Sequence, residues 1–137
     1  MLKWEKGTMK TYKIYCPIYD VTLDFWVGET EKDFIHRVKK LFNETLIADG
    51  RSGCFVSFNK NKKVPQRITH RILWIEKPDK FILLHEVFHA VTNILAYKNI
   101  HLTLTTEDMY EHSSDEVYAY FLEYLYKETL KKLGRCA

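Results

Sequence analysis

Residues 81–95 read FILLHEVFHAVTNIL, and the way His85, Glu86 and His89 sit in that apolar run decides the fold. Pro78 and Asp79 stand before it as helix-starting residues, so the spacing predicts a helix continuing to about residue 97. On a helix His85 and His89 are one turn apart and project from the same face. Two imidazole nitrogens held that way suit zinc, which takes His, carboxylate and thiolate ligands in a tetrahedral set. Glu86, beside the first histidine, suits a general base acting on a water that the metal polarises. With six His and eleven Glu in 137 residues, His-Glu-x-x-His arises by chance about 2% of the time, so context has to sharpen it. The flanks FILL, VF and AV read as apolar nearly all round, which predicts a buried helix whose polar groups need a partner.

A catalytic zinc keeps three protein ligands and one open position. The extended pattern HExxHxxGxxH fails, because Thr92 and Leu95 occupy its Gly and third His positions. Downstream, SSDEVYAYFLEYLYKE (113–128) reads as a second apolar helix with Glu116 in its first turn. Packing of Val117, Tyr118, Tyr120, Phe121 and Leu125 on the first helix would swing Glu116 towards the histidines. Ser113 also makes S-x-x-E a capping box, and Asp115, Glu111, His112 and Glu123 are alternative ligands.

Outward from these helices the chain is β-rich over residues 12–27, where Val21, Leu23, Phe25 and Val27 alternate with polar or bulky neighbours. Thr30 is an expected N-cap, with Asp33 as its partner, of an amphipathic helix over 31–46. A turn cluster at 48–53 leads to CFVSF (54–58) and ITHRILWIE (68–76), both strand-like, separated by the basic loop NKNKKVPQR. The last helix is expected over about 114–133, with Gly134 just beyond. The fold class is therefore α+β: a small, mostly antiparallel sheet packed on the HExxH helix, plus a C-terminal helix. No repeat or linker divides the chain, so residues 1–137 read as one domain, with 1–10 as a loose N-terminal extension.

Composition excludes several classes. A chain 46% hydrophobic and 15% aromatic is globular rather than disordered. A net charge of +3 is too small to argue for nucleic acid. Cys16, Cys54 and Cys136 form no close pair, which favours a reducing compartment. No apolar run reaches the ~18 residues of a membrane span, and the charged N-terminus reads as no export signal, so a cytoplasmic location is expected.

The chain resembles the zincin superfamily, and within it the gluzincin branch, on ILWIE, LLHEVFHAV and SDEVYAYFLEYL. It looks most like the small single-domain metallopeptidases of phages and prophages. The likeness covers about residues 72–126. It implies a peptidase of peptide or protein substrates, with His85, His89 and Glu116 as zinc ligands and Glu86 as general base. It also implies an edge strand lining the cleft, for which CFVSF is the candidate. An oxyanion-stabilising group would come from His101, Tyr110, His112 or Tyr120.

Three rival readings remain open in the sequence. SGCFVSF offers Cys54 as the ligand of a deformylase-like amidohydrolase, although that family's GxGxAAxQ segment is absent. A non-catalytic zinc-stabilised interaction module would close the metal with a fourth ligand, and would have no need of Glu86. Nucleic-acid binding through Lys60, Lys62, Lys63 and Arg67 competes with a solvated hairpin tip.

Overall fold

The structure, a computed structural model, describes residues 9–59, 68–100 and 114–134, leaving aside the side chains of residues 114 and 115. The elements run β1 (Lys10–Cys16), β2 (Val21–Val27), α1 (Glu31–Phe42), β3 (Gly53–Phe58), β4 (His70–Ile75), α2 (Lys80–Tyr97) and α3 (Ser114–Gly134). The four strands form one mixed sheet in the order β1-β2-β4-β3. β1–β2 and β3–β4 are antiparallel hairpin-type pairs, whereas the central β2–β4 pair is parallel. The sheet is thus α+β and mostly antiparallel as expected, with a parallel seam in the middle. Of the expected extension over 1–10, residues 1–8 lie outside the described residues and Lys10 already belongs to β1.

The pleat sorts the side chains into two cores. Ile14, Val21, Leu23, Phe25, Val27, Leu73 and Ile75 point to one face and pack with α2 and α3. Trp26, Cys54, Phe58, Ile72 and Trp74 point to the other, where Phe34 and Val38 of α1 cover them. Phe34 stacks on Trp74 with ring centroids 4.6 Å apart. β4 lies between helical layers and has no polar face: Ile72 to Ile75 are all fully buried, as a strand parallel to its neighbour usually is.

Thr30 caps α1 as expected, its hydroxyl accepting from the Asp33 N–H at 3.2 Å. The helix is shorter than the 31–46 predicted. Asn43 adopts the left-handed conformation (φ 56°) and donates its N–H to the Lys39 carbonyl, so Leu46 packs on the α1-side core from outside the helix. α2 starts at the expected place, where the Asp79 carboxylate accepts from the N–H groups of Phe81 and Ile82. No helix among the described residues is long and apolar enough to cross a membrane.

One close approach sets where α2 lies. A Cβ at Gly53 would stand 2.7 Å from Ile82 Cγ2 and 3.2 Å from Glu86 Cγ. Only a residue without a side chain lets α2 settle this near the start of β3. Gly53→Ala is therefore expected to lower the unfolding free energy by about 1–3 kcal/mol. Gly134→Ala, which would meet nothing within 4 Å, is expected to cost nothing. Equal urea midpoints for the two variants would show that the helix does not depend on this contact.

Candidate metal centre

α2 carries its buried residues Leu83, Val87, Ala90, Val91, Ile94 and Leu95 towards the sheet and α3. Its opposite side is open, which corrects the expectation of a helix buried all round. Phe81 is 86% exposed, Phe88 46% and Leu84 39%, and both histidines lie on the exposed side. Glu86 alone of the three polar residues is buried, at 7% exposure. The apolar residues of this helix outnumber the positions that sheet and α3 can cover, so a stripe of them stays on the surface with the histidines.

The nitrogen and carboxylate atoms of His85, Glu86 and His89 lie within 4.8 Å of one another. The two imidazoles meet edge to face, 79° between planes, with Nε2 of one 3.2 Å from Nε2 of the other. Two nitrogens on a tetrahedral zinc, each about 2.05 Å from the metal, would stand about 3.3 Å apart. The donor pair fits a zinc ion on that measure.

Glu86 reaches a groove of about 590 Å³ between α2 and β3, lined by Gly53, Phe55, Ser57, His85, His89 and Asn93 among others. Burial pushes its carboxyl pKa up, while His85, His89, the Phe55 backbone N–H and Arg51 pull it the other way. The Phe55 contact follows from the sheet. β3 is an edge strand, and Glu76 donates its N–H to the Ser52 carbonyl at 2.8 Å. Alternation from that bond turns the main-chain groups of Cys54 and Val56 towards β4 and those of Gly53, Phe55 and Ser57 towards the open edge. CFVSF is thus an edge strand bordering the groove, as expected.

The other expected residues fall differently. Glu116, on the first turn of α3, is exposed and stands outside the three-residue group. Glu123 is occupied by Lys127 at 2.8 Å. Asp115, Glu111 and His112 lie outside the described side chains, as do His101, Tyr110 and the basic loop residues Lys60, Lys62, Lys63 and Arg67. Tyr120 lines a separate apolar groove with Pro17, Ile18, Tyr19 and Phe121, between α3 and the turn that joins β1 to β2. Tyr118, Tyr124 and Tyr126 send their hydroxyls to the carbonyls of Ile100, Tyr15 and Lys80, so they tie α3 to its neighbours. Cys54 borders the groove by its position in β3, but the pleat turns its thiol into the α1-side core, where burial pushes its pKa up. Cys54 stands outside the His85-Glu86-His89 group.

Sequence reading missed two supports of the site. Asn93, one turn beyond His89, donates to Ser57 Oγ at 3.2 Å and accepts from Arg71 Nε at 3.0 Å. Arg71 is buried, lies 4.8 Å from the Tyr97 ring centre and leaves its Nη2 without a hydrogen-bond partner. The His85-His89-Asn93 stripe at four-residue intervals was the available signal. The second support is Glu31, whose carboxylate accepts from the N–H groups of Asp49, Gly50 and Arg51 and from Arg51 Nε. It fixes the loop that delivers Arg51 to the groove. DGRSG read only as a turn, because nothing local shows that its amides converge on a carboxylate 18 to 20 residues earlier.

No family model, curated protein or solved structure matches the chain.

The converging donors hold the Glu31 carboxyl at about 2, well below its ordinary 4.5. A carboxyl lowered in the folded state contributes stability above its unfolded value and loses it as pH falls through the folded one. Wild-type stability is therefore expected to decline between about pH 4.5 and 2 more steeply than that of Glu31→Gln. Urea midpoints measured across that range test this, and parallel profiles would mean that the carboxylate does not hold the loop.

Proposed function

We propose that the protein is a zinc-dependent peptidase of minimal gluzincin type, with His85 and His89 as metal ligands and Glu86 as general base. The single observation that carries the reading is the convergence of two exposed imidazoles, 3.2 Å apart at Nε2, beside a buried carboxylate at the mouth of a groove. When bound, zinc supplies Lewis-acid polarisation of a water and of the carbonyl it attacks. A carboxylate oxygen of Glu86 takes the proton from that water and passes it to the leaving nitrogen. A carboxyl whose pKa burial raises is a stronger base than a solvated one, and the Phe55 N–H keeps it oriented. The open main-chain groups of β3 would bind an extended peptide by strand addition. Glu116, whose exposed side chain starts α3, is the proposed third ligand, with Asp115 as its rival.

Metal content by mass spectrometry and cleavage of a peptide library test this together. Wild type is expected to hold one zinc per chain, and His85→Ala and His89→Ala to hold none. Glu116→Ala should lose zinc while Asp115→Ala keeps it, and the reverse result would move the third ligand to Asp115. Glu86→Gln should keep zinc and cleave about 10²–10⁴-fold more slowly. A wild type that takes up no zinc on reconstitution would sink the reading. Zinc bound with no peptide cleaved would leave the non-catalytic interaction module instead.

A further inference from the structure

The groove does not stop at the histidines. A second hollow of about 350 Å³, lined by Ser52, Phe81 and Ile82, shares Arg51, Gly53, His85 and Glu86 with the first. The two form one trough along α2 and β3, with the His-Glu-His group at its middle. Asn93 and Ser57 bridge across one end. Where the two hollows meet, Arg51 lines both, and among the described residues that line them it is the one Lys or Arg.

Arg51 is fixed before any ligand arrives. Its Nε donates to Glu31 at 3.2 Å, Nη1 to Cys54 Sγ at 3.3 Å and Nη2 to the Ile47 carbonyl at 2.9 Å. A guanidinium has five N–H groups. Three are used, so one remains on each terminal nitrogen, and the side chain is still 32% exposed. Glu31 does not quench this donor pair: its two oxygens already accept from three backbone N–H groups and from Nε. A guanidinium with two remaining donors, held by three bonds where the two hollows meet, suits a carboxylate.

We infer that Arg51 makes the trough selective for substrates that present a carboxylate on the side of the site bounded by Phe81 and Ile82. This deepens the peptidase reading and rests on it. The carboxylate comes from an acidic side chain or from a chain terminus, since either offers the same two acceptor oxygens. Phe81, exposed and apolar, would flank it and cover the aliphatic part of the bound residue.

The test is binding, measured on metal-free protein so that a carboxylate cannot score by coordinating zinc. Three fluorescent peptides of one sequence are compared by anisotropy: a blocked peptide with an internal Glu, the same peptide with Gln, and the Gln peptide with a free C-terminus. Wild type is expected to bind one of the two carboxylate peptides about tenfold more tightly than the blocked Gln peptide. The preferred one identifies the source. Arg51→Gln should lose that preference while binding the Gln peptide as wild type does. Glu31→Gln, which keeps the cation but removes one of its three anchors, should reduce that preference without affecting the Gln peptide. Equal affinities in wild type, or a parallel loss for all three peptides in Arg51→Gln, would overturn the inference. In those cases zinc content and cleavage still stand as a separate test of the peptidase reading.

Discussion

The contact on which the site depends is the approach of α2 to β3 at Gly53. With no Cβ there, Ile82 and Glu86 come down onto the strand, and a buried carboxylate reaches the open main-chain edge at Phe55. Everything else in the trough is indexed to that height. One turn on, His89 faces the middle of the groove, and one turn further Asn93 meets Ser57 at the far end of β3. A helix lifted by the width of a methyl group would separate these pairs together, because they lie on one helical stripe opposite one strand.

The same contact explains why the buried and exposed sides of α2 divide as they do. The sheet and α3 take the Leu83-Val87-Val91-Ile94 side, which leaves His85 and His89 with Phe81, Leu84 and Phe88 on the other. The motif, the helix start at Asp79 and the alternation along β2 were all legible, since each rests on local spacing or capping, whereas the edge position of CFVSF was only what the family resemblance implied. The parallel seam between β2 and β4 was not legible, because local sequence does not name the partner of a strand paired across α1 and β3. The unbroken apolar run Ile72 to Ile75 was its trace, a strand covered on both faces. The exposure of α2 was misread for a related reason: mean apolarity reports how many side chains could be buried, not how many partners exist to bury them.

Long-range polar contacts were the least legible part of the site. Glu31 and Arg51 belong to different elements, and Arg71 reaches Asn93 from β4 to α2. Nothing in the local sequence marks Glu31, Arg51 or Arg71 as part of a site. In the fold they stiffen the two ends of one groove. The Glu31 carboxylate organises a turn into a cationic end, and the buried Arg71 holds the amide that bridges to β3. Arg71 is the costlier device, since among the described residues an amide oxygen and the Tyr97 ring are what offset its desolvation, and its Nη2 has no hydrogen-bond partner there.

The exposure of the histidines changes the argument for a metal rather than removing it. The cost of burying imidazoles no longer applies to His85 and His89, and solvated histidines on an outer face need no compensation. What carries the reading is convergence. Free rotamers would let two exposed rings point into water, yet they turn their Nε2 atoms to 3.2 Å. In a neutral pair one ring must donate for that separation to be favourable, and two imidazolium ions at that distance repel. A cation between them satisfies both nitrogens at once, at nearly the spacing they already have. On the proposed reading Glu86 would have a reason to be buried beside them, because a carboxylate desolvated next to a metal would be poised to take a proton, whereas one merely filling a core position would be better replaced by an apolar residue.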